Sequence, residues 1–296
     1  MGSIAAASYG LNPLFALPLY QEGMGADSVL FFRYAFAILM MAVMMKARRM
    51  DMRVHRRDWF PLAVFGLLFS ASSLFLFLSY KYMDAGIAST ILFMYPVLVA
   101  IIMALFFGER ASALTWVCIL LAFGGILLLT KTSTGATVSL FGVTLVLLSS
   151  LSYAIYIVGV NHSSIVRMPS QKLTFYALSF GILIYVVRTR GLTELQLPQT
   201  ALGWMCAFCL ALFPTIISLV AMTISIRKIG STSAAILGAL EPITALLVGT
   251  LIFGERLTVR ICLGVVLILT AVTLLIAGKK IYYIIRAKLS PHHALH

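Results

Sequence analysis

"ALEPITALLVGTLIFGERLT" (239–258) sets a glutamate, Glu241, in apolar sequence and follows it at once with Pro242. An earlier stretch, "FMYPVLVAIIMALFFGERAS" (93–112), repeats the passage with Tyr95 in the glutamate's place. Pro96 and Pro242 are 146 residues apart, as are Glu109 and Glu255, Arg110 and Arg256, and Ser112 and Thr258. The correspondence extends outward. "SYGLN" (8–12) answers "SYAIY" (152–156) at an offset of 144, and Ser70, Ser73, Phe77 and Tyr80 answer Thr215, Ser218, Met222 and Ser225 at 145. These last two sets share the spacing i, i+3, i+7, i+10, which is one face of a helix. A passage written twice at a fixed offset marks two copies of one structural unit.

Composition says what the unit is made of. Of 296 residues, 61% are hydrophobic and 10% charged, with a mean hydropathy of +1.05. A soluble core cannot use that much apolar surface, so it faces lipid. Ten apolar runs, each long enough to cross a hydrocarbon layer of about 30 Å, cover roughly 2–20, 28–46, 59–80, 85–107, 113–130, 138–160, 172–188, 201–224, 231–253 and 259–278. The first is not a signal peptide, because it has no basic leader and is broken by Asn12-Pro13 and Pro18. Five runs fall in each copy. Five is odd, so the second copy enters the bilayer from the opposite side. The expected fold is therefore all-α and membrane-integral, with ten transmembrane helices as two inverted five-helix repeats, 1–131 and 132–279, and a basic tail, 280–296.

The net charge of +13 raises the question of nucleic acid, but the positions of the charges answer it. "KARRMDMRVHRRD" (46–58) holds six Lys/Arg and the tail after 278 holds four. Counting alternate loops gives fifteen on one side and six on the other, with Arg33 inside a run. The positive-inside rule then places both termini and the 46–58 loop in the cytoplasm, in a multi-pass protein of the cell membrane. The tail "GKKIYYIIRAK" mixes basic and aromatic residues, which suits anionic lipid headgroups. The basic balance is an orientation signal, and no nucleic-acid partner is expected.

No metal or cofactor is expected either. Cys206-x-x-Cys209 lies in "WMCAFCLAL" with no second pair and no nearby histidine, so both read as small packing residues. Gly249-x4-Gly254 followed by Glu255-Arg256 lacks the Lys-Ser/Thr of a phosphate loop.

The doubled Pro…Gly-Glu passages, the ten runs in two halves and the opening "SYGLNPLF" resemble the EamA-type branch of the drug/metabolite transporter superfamily, over essentially the whole chain. The resemblance implies secondary transport of small metabolites, commonly export of amino acids and related compounds. It does not specify a substrate.

Inverted repeats serve alternating access around a site near the midplane, beside interrupted helices. Pro96 and Pro242 each lack the N–H that would bond the carbonyl four residues back, freeing Leu92 and Gly238 C=O. Glu241 is the strongest single signal. A charged acid at the centre of a span costs roughly 3 kcal/mol on insertion scales, so it is kept where it is satisfied or used. It reads as a proton carrier or a counter-charge to a substrate amine, against an alternative in which a protonated acid bridges packed helices. Asn12 and its counterpart Tyr156, with Ser73, Tyr95 and Ser218, complete the expected substrate-binding set with Glu241. Tyr9 and Tyr153 offer further rings and hydroxyls. Arg33 lies about a turn into its run, within reach of snorkelling to the interface or of Glu22 and Asp27, with a cavity anion site as the other reading. Glu109 and Glu255 are expected to stabilise their own turns, with Ser112 and Thr258 as N-caps of the helices that follow.

The expected function is a secondary transporter for a small polar or amphipathic, amino-acid-like metabolite, an exporter coupled to protons. A membrane-embedded lipid-modifying enzyme would want paired acids, an acid–histidine pair or a metal site. The spans carry one mid-membrane carboxylate and no histidine at depth. A channel is the third reading. Substrate identity, direction and oligomeric state are left open by the sequence.

Overall fold

A computed structural model describes residues 1–108, 113–129, 139–222, 224–225, 228 and 237–289, the segment 279–289 by backbone alone. The described residues are predominantly helical, and no strand occurs among them. Among the described residues seven helices are long and apolar enough to cross a membrane, and Ala113–Leu129 and Leu240–Phe253 are shorter apolar helices. Leu120 and Leu251 stand 72% and 79% exposed on them, as side chains do that lie against lipid. Glu109, Arg110 and Ser112 and the histidines of the tail lie outside the described residues.

Proline decides where the first run breaks. The helix α1 (Gly2–Gly10) ends at Leu11, and α2 (Asn12–Gln21) restarts with Pro13 in its first turn. Four unbroken helices follow in the chain's length: α3 (Ala26–Ala47), α4 (Trp59–Ser79), and later α8 (Leu140–Asn161) and α9 (Ser170–Arg188). Between them the span holding Pro96 divides into α5 (Ala85–Leu92) and α6 (Tyr95–Phe106), and α7 is Ala113–Leu129. Beyond α10 (Ala201–Ala211) the helix widens into a π segment, Leu212–Ile217, around Pro214. The helix α11 (Leu240–Phe253) begins with Glu241-Pro242, and α12 (Val259–Leu289) runs well past the apolar stretch expected to end at 278.

Each freed carbonyl finds a partner, as hydrocarbon demands. Ser150 Oγ on α8 donates to Leu92 O at 2.9 Å and to Ile91 O at 3.3 Å. Glu241 N donates to Gly238 O at 2.9 Å, which closes the turn in front of α11. Ser72 and Ser149 exchange reciprocal bonds between α4 and α8, at 2.9 and 2.7 Å.

The most extensive helix packings all join an element before residue 131 to one after 140: α7 with α12, α4 with α8 and α9, α3 with α9, and α5 with α11. The two sequence copies therefore interleave around one continuous apolar core. Bonds between loops sort them onto two faces. Ser164 Oγ donates to Asp58 Oδ1 at 2.6 Å and Tyr176 OH to Met52 O at 2.6 Å, which gathers the 48–58 and 162–169 loops on a basic face. On the opposite face Gln199 N donates to Glu22 Oε2 at 2.9 Å, Gln196 N to Ser28 Oγ at 3.0 Å, and Ala85 N to Glu255 Oε1 at 2.9 Å.

Candidate functional site

The helix breaks converge on one cavity of about 180 Å³. Its wall takes Ala5, Ala6 and Tyr9 from α1, Arg33 from α3 and Phe69 from α4. Leu92 and Tyr95 flank the α5/α6 break, Tyr153 and Tyr156 come from α8, and Thr174 and Ala177 from α9. Pro214, Thr215, Ser218, Leu219 and Met222 belong to the π segment and the turn beyond it, and Glu241 opens α11. Most of these positions lie toward the basic-face ends of their helices.

Arg33 departs from the interface reading. Its side chain is buried, with the residue 3% exposed, and Nε donates to Thr215 Oγ1 at 3.1 Å while the guanidinium carbon lies 5.4 Å from the centroid of the Phe77 ring. The carboxylates expected to pair with it are engaged elsewhere. Asp27 Oδ1 is 2.5 Å from Arg188 Nε, and Glu22 accepts from Gln199 N and from Thr200. Pro214 accounts for the support under Arg33. Having no N–H, it cannot bond Leu210 O, and Thr215 Oγ1 turns toward that oxygen at 3.5 Å. The proline that opens the π segment therefore positions the hydroxyl that receives Arg33.

Glu241 occupies the first turn of α11, where the helix dipole favours a negative charge. No hydrogen bond or ion pair of its carboxylate occurs among the described residues. Its surroundings come close because Gly10 has no side chain: a Cβ there would lie 2.5 Å from Glu241 O. That contact brings the α1/α2 break, and Tyr9 with it, against the α11 start.

Rings form the rest of the wall. Tyr95 and Tyr153 meet edge to face at 4.8 Å, Tyr153 stacks on Tyr156 at 5.9 Å, and Phe69 leans on Tyr156 at 5.3 Å. Aromatic faces attract ammonium groups and also pack apolar side chains. The cavity thus offers a cation, a carboxylate and an aromatic floor.

Of the six residues expected to bind substrate, four line the cavity: Tyr95, Tyr156, Ser218 and Glu241. Ser218 Oγ is already committed to Ala5 O at 2.8 Å. Asn12 and Ser73 stand off the wall. Asn12 Nδ2 donates to Tyr9 O at 2.8 Å, and Ser73 Oγ accepts from Tyr34 OH at 3.0 Å. Phe69, Thr174 and Pro214 were not singled out from the sequence. For Pro214 a signal existed, since it is a further proline well inside an apolar run.

Thr258 caps α12, its Oγ1 accepting from Ile261 N at 3.3 Å. Glu255 does not stabilise its own turn. Its carboxylate reaches across to the start of α5.

Comparison with known proteins follows the same outline. The EamA-like transporter family profile matches residues 1–131 and again 140–277. An "Uncharacterized transporter" of Archaeoglobus fulgidus is 30% identical over 257 residues, 86% of this chain and 88% of that one. The "Uncharacterized transporter YdfC" of Bacillus subtilis is 25% identical over 82% of this chain and 79% of its own. The "Uncharacterized inner membrane transporter YedA" of Escherichia coli is 27% identical over 67% of this chain and 64% of its own. A solved crystal structure only 16% identical superposes over 92% of this chain and 94% of its own with a TM-score of 0.66, a likeness of fold alone.

Proposed function

The chain belongs to the EamA-like transporter family and is a multi-pass membrane transporter, and from that premise we propose that it carries a zwitterionic, amino-acid-like metabolite by alternating access between two inverted five-helix repeats. The observation that carries the substrate class is the pair of opposite charges on one cavity wall. Arg33 and Glu241 both line it, and neither joins the other or a third charged group in an ion pair among the described residues. A buried charge without a protein counter-ion is costly unless a ligand completes it. An α-carboxylate at Arg33 and an α-ammonium at Glu241 would complete both, with the tyrosine rings around the side chain.

The repeat positions support the cycle. Thr215, Ser218 and Met222 line the cavity, whereas their counterparts Ser70, Ser73 and Phe77 are buried in the packing of α4. Tyr156 lines it, and its counterpart Asn12 does not. An inverted repeat caught open toward one face has this asymmetry, because equivalent surfaces exchange roles when the carrier reorients. In this reading 1–131 and 132–279 are the two repeats, both termini are cytoplasmic, and the cavity is biased toward the cytoplasm. Substrate and proton compete for Glu241, which gives export driven by inward proton flow. The partners are a small molecule and the bilayer.

Counterflow in proteoliposomes tests the substrate class. Vesicles preloaded with an unlabelled amino acid should take up the same labelled amino acid, and neither its amide nor its N-acyl derivative should exchange. Equal exchange of all three would overturn the two-pole reading. Topology is tested separately. A reporter after residue 57 or at the C-terminus should read cytoplasmic, and one placed at 22–27 external. Opposite locations for the two termini would remove the inverted repeat.

A further inference from the structure

We infer that Glu255 is the latch that holds the carrier closed on the face opposite the basic loops, and that a proton taken from that face releases it. The inference rests on the alternating-access reading above for the meaning of the two faces, but not on the identity of the substrate.

The turn between α11 and α12 does not need this side chain. Gly254 takes a left-handed conformation, φ +71°, and Glu255 N donates to Gly249 O at 3.0 Å, so backbone alone ends the helix. The carboxylate instead leaves its own turn and accepts from Ala85 N at 2.9 Å and Gly86 N at 3.3 Å, two of the unpaired donors at the start of α5. Asp84, the residue placed to cap that helix, makes no capping bond. Glu255 therefore caps α5 from the other sequence copy, 170 residues away.

The passage it uses is made by two missing side chains. A Cβ on Gly249 would lie 2.0 Å from Glu255 Oε2, and one on Gly86 3.0 Å from the same oxygen. Gly249 is thus bare because the carboxylate passes there. Both helices it joins matter to the site. At its inner end α5 breaks beside Tyr95, and α11 begins with Glu241, so the latch ties the outer halves of the two broken helices together above the cavity. Opening toward this face requires α5 and α11 to part, and both N–H bonds must break first.

The ionised carboxylate grips these donors best, since charge-assisted bonds are about twice as strong as neutral ones. Asp84, from the α5 turn, is the charged group that acts on it among the described residues, and no Lys or Arg pairs with it there. Burial, and secondarily Asp84, push Glu255 up to about 7, against the two backbone bonds that pull it down. Above that pH the latch is charged and holds. Below it the carboxyl is neutral, and the grip weakens.

The test replaces Cys118, Cys206, Cys209 and Cys262 with alanine, introduces Ser89→Cys one turn below the latch on α5, and labels the full chain from the outer face with a membrane-impermeant maleimide. Labelling of Ser89→Cys, divided by that of a reference Thr193→Cys in the exposed loop of the same face, should be about tenfold higher at pH 6 than at pH 8, the shift that loss of one charge-assisted bond produces. The ratio cancels thiol ionisation, which by itself slows maleimide addition on the order of 100-fold between pH 8 and pH 6. Glu255→Gln should label fast at both pH values. So should Gly249→Ala, which displaces the carboxylate without changing charge. A ratio that stays low at both pH values, or that falls with acidity, overturns the latch, and this series uses unaltered Glu255, so it decides even where a variant misfolds. Accessibility rather than transport is read out. Failure of the zwitterion exchange assay with acid-gated labelling intact would overturn the substrate reading alone.

Discussion

Replacing Glu241 with glutamine should leave a folded carrier that exchanges substrate between the two sides but no longer accumulates it when a pH difference is the only driving force. The variant keeps the shape of the side chain and its place in the first turn of α11, and it removes the carboxyl from the cavity wall. Protonated, the acid is nearly neutral in cost and lets the empty carrier reorient. Ionised in a low-dielectric cavity, it needs a cation. In the proposed cycle substrate amine and proton are alternative cations, and their exclusion of each other couples the two flows. Glutamine binds neither as a counter-ion, so pH-driven accumulation should fall at least about tenfold while counterflow persists, the tenfold corresponding to about 1.4 kcal/mol of lost preference. Measuring both activities in the same proteoliposome preparation separates coupling from folding. Wild-type accumulation by the variant would make Glu241 a structural acid and leave the family and the helical fold untouched.

Arg33→Gln should produce the second large effect, on selectivity. In the wild type, a substrate whose carboxylate has been replaced by an amide leaves the guanidinium buried without a counter-ion, beside Thr215 Oγ1, the Tyr9 hydroxyl and the Phe77 ring. Leaving a buried charged donor without its counter-ion costs about 2–3 kcal/mol, so the acid should be preferred over the amide by roughly 30- to 140-fold. In the glutamine variant that preference should collapse to within a few-fold, because a neutral amide in the wall is satisfied equally by either ligand. Stability should hold, since the substitution removes a charge from the span and thereby a cost of insertion. Thermal unfolding in detergent, read alongside inhibition of counterflow by the acid and its amide, distinguishes a lost ligand from a lost fold. A variant that keeps the full preference would show that the carboxylate binds elsewhere.

These two expectations draw on different parts of the chain's legibility. Glu241 is conspicuous along the sequence because an acid inside an apolar run contradicts its neighbours, and the contradiction is visible within a few residues. The helix breaks are legible for the same reason. Pro13, Pro96 and Pro242 lack a donor, and the interruption falls within four residues of each. The alternation of loops between two faces also follows from run lengths and basic residues, and bonds such as Ser164–Asp58 and Gln199–Glu22 agree with it. Local chemistry, hydropathy and the doubled passage thus determined that this is a helical membrane protein of the EamA-like family, and where its spans break.

What only the tertiary structure decided is which groups meet. Arg33 could have snorkelled to the interface or paired with Asp27, but α9 brings Arg188 to Asp27 and the π segment brings Thr215 to Arg33, contacts 161 and 182 residues apart. Ser150 satisfies Leu92 O from another helix, and Glu255 passes over its own turn to cap α5. Asn12 and Ser73 carry the same polar chemistry as residues on the cavity wall, yet they bond to Tyr9 O and Tyr34 OH instead. The physical reason is common to all of these. Within hydrocarbon every polar group must find a partner, so the need for one is written locally, but its identity depends on which helix faces lie against each other, and among the described residues the most extensive packings join helices before residue 131 to helices after 140.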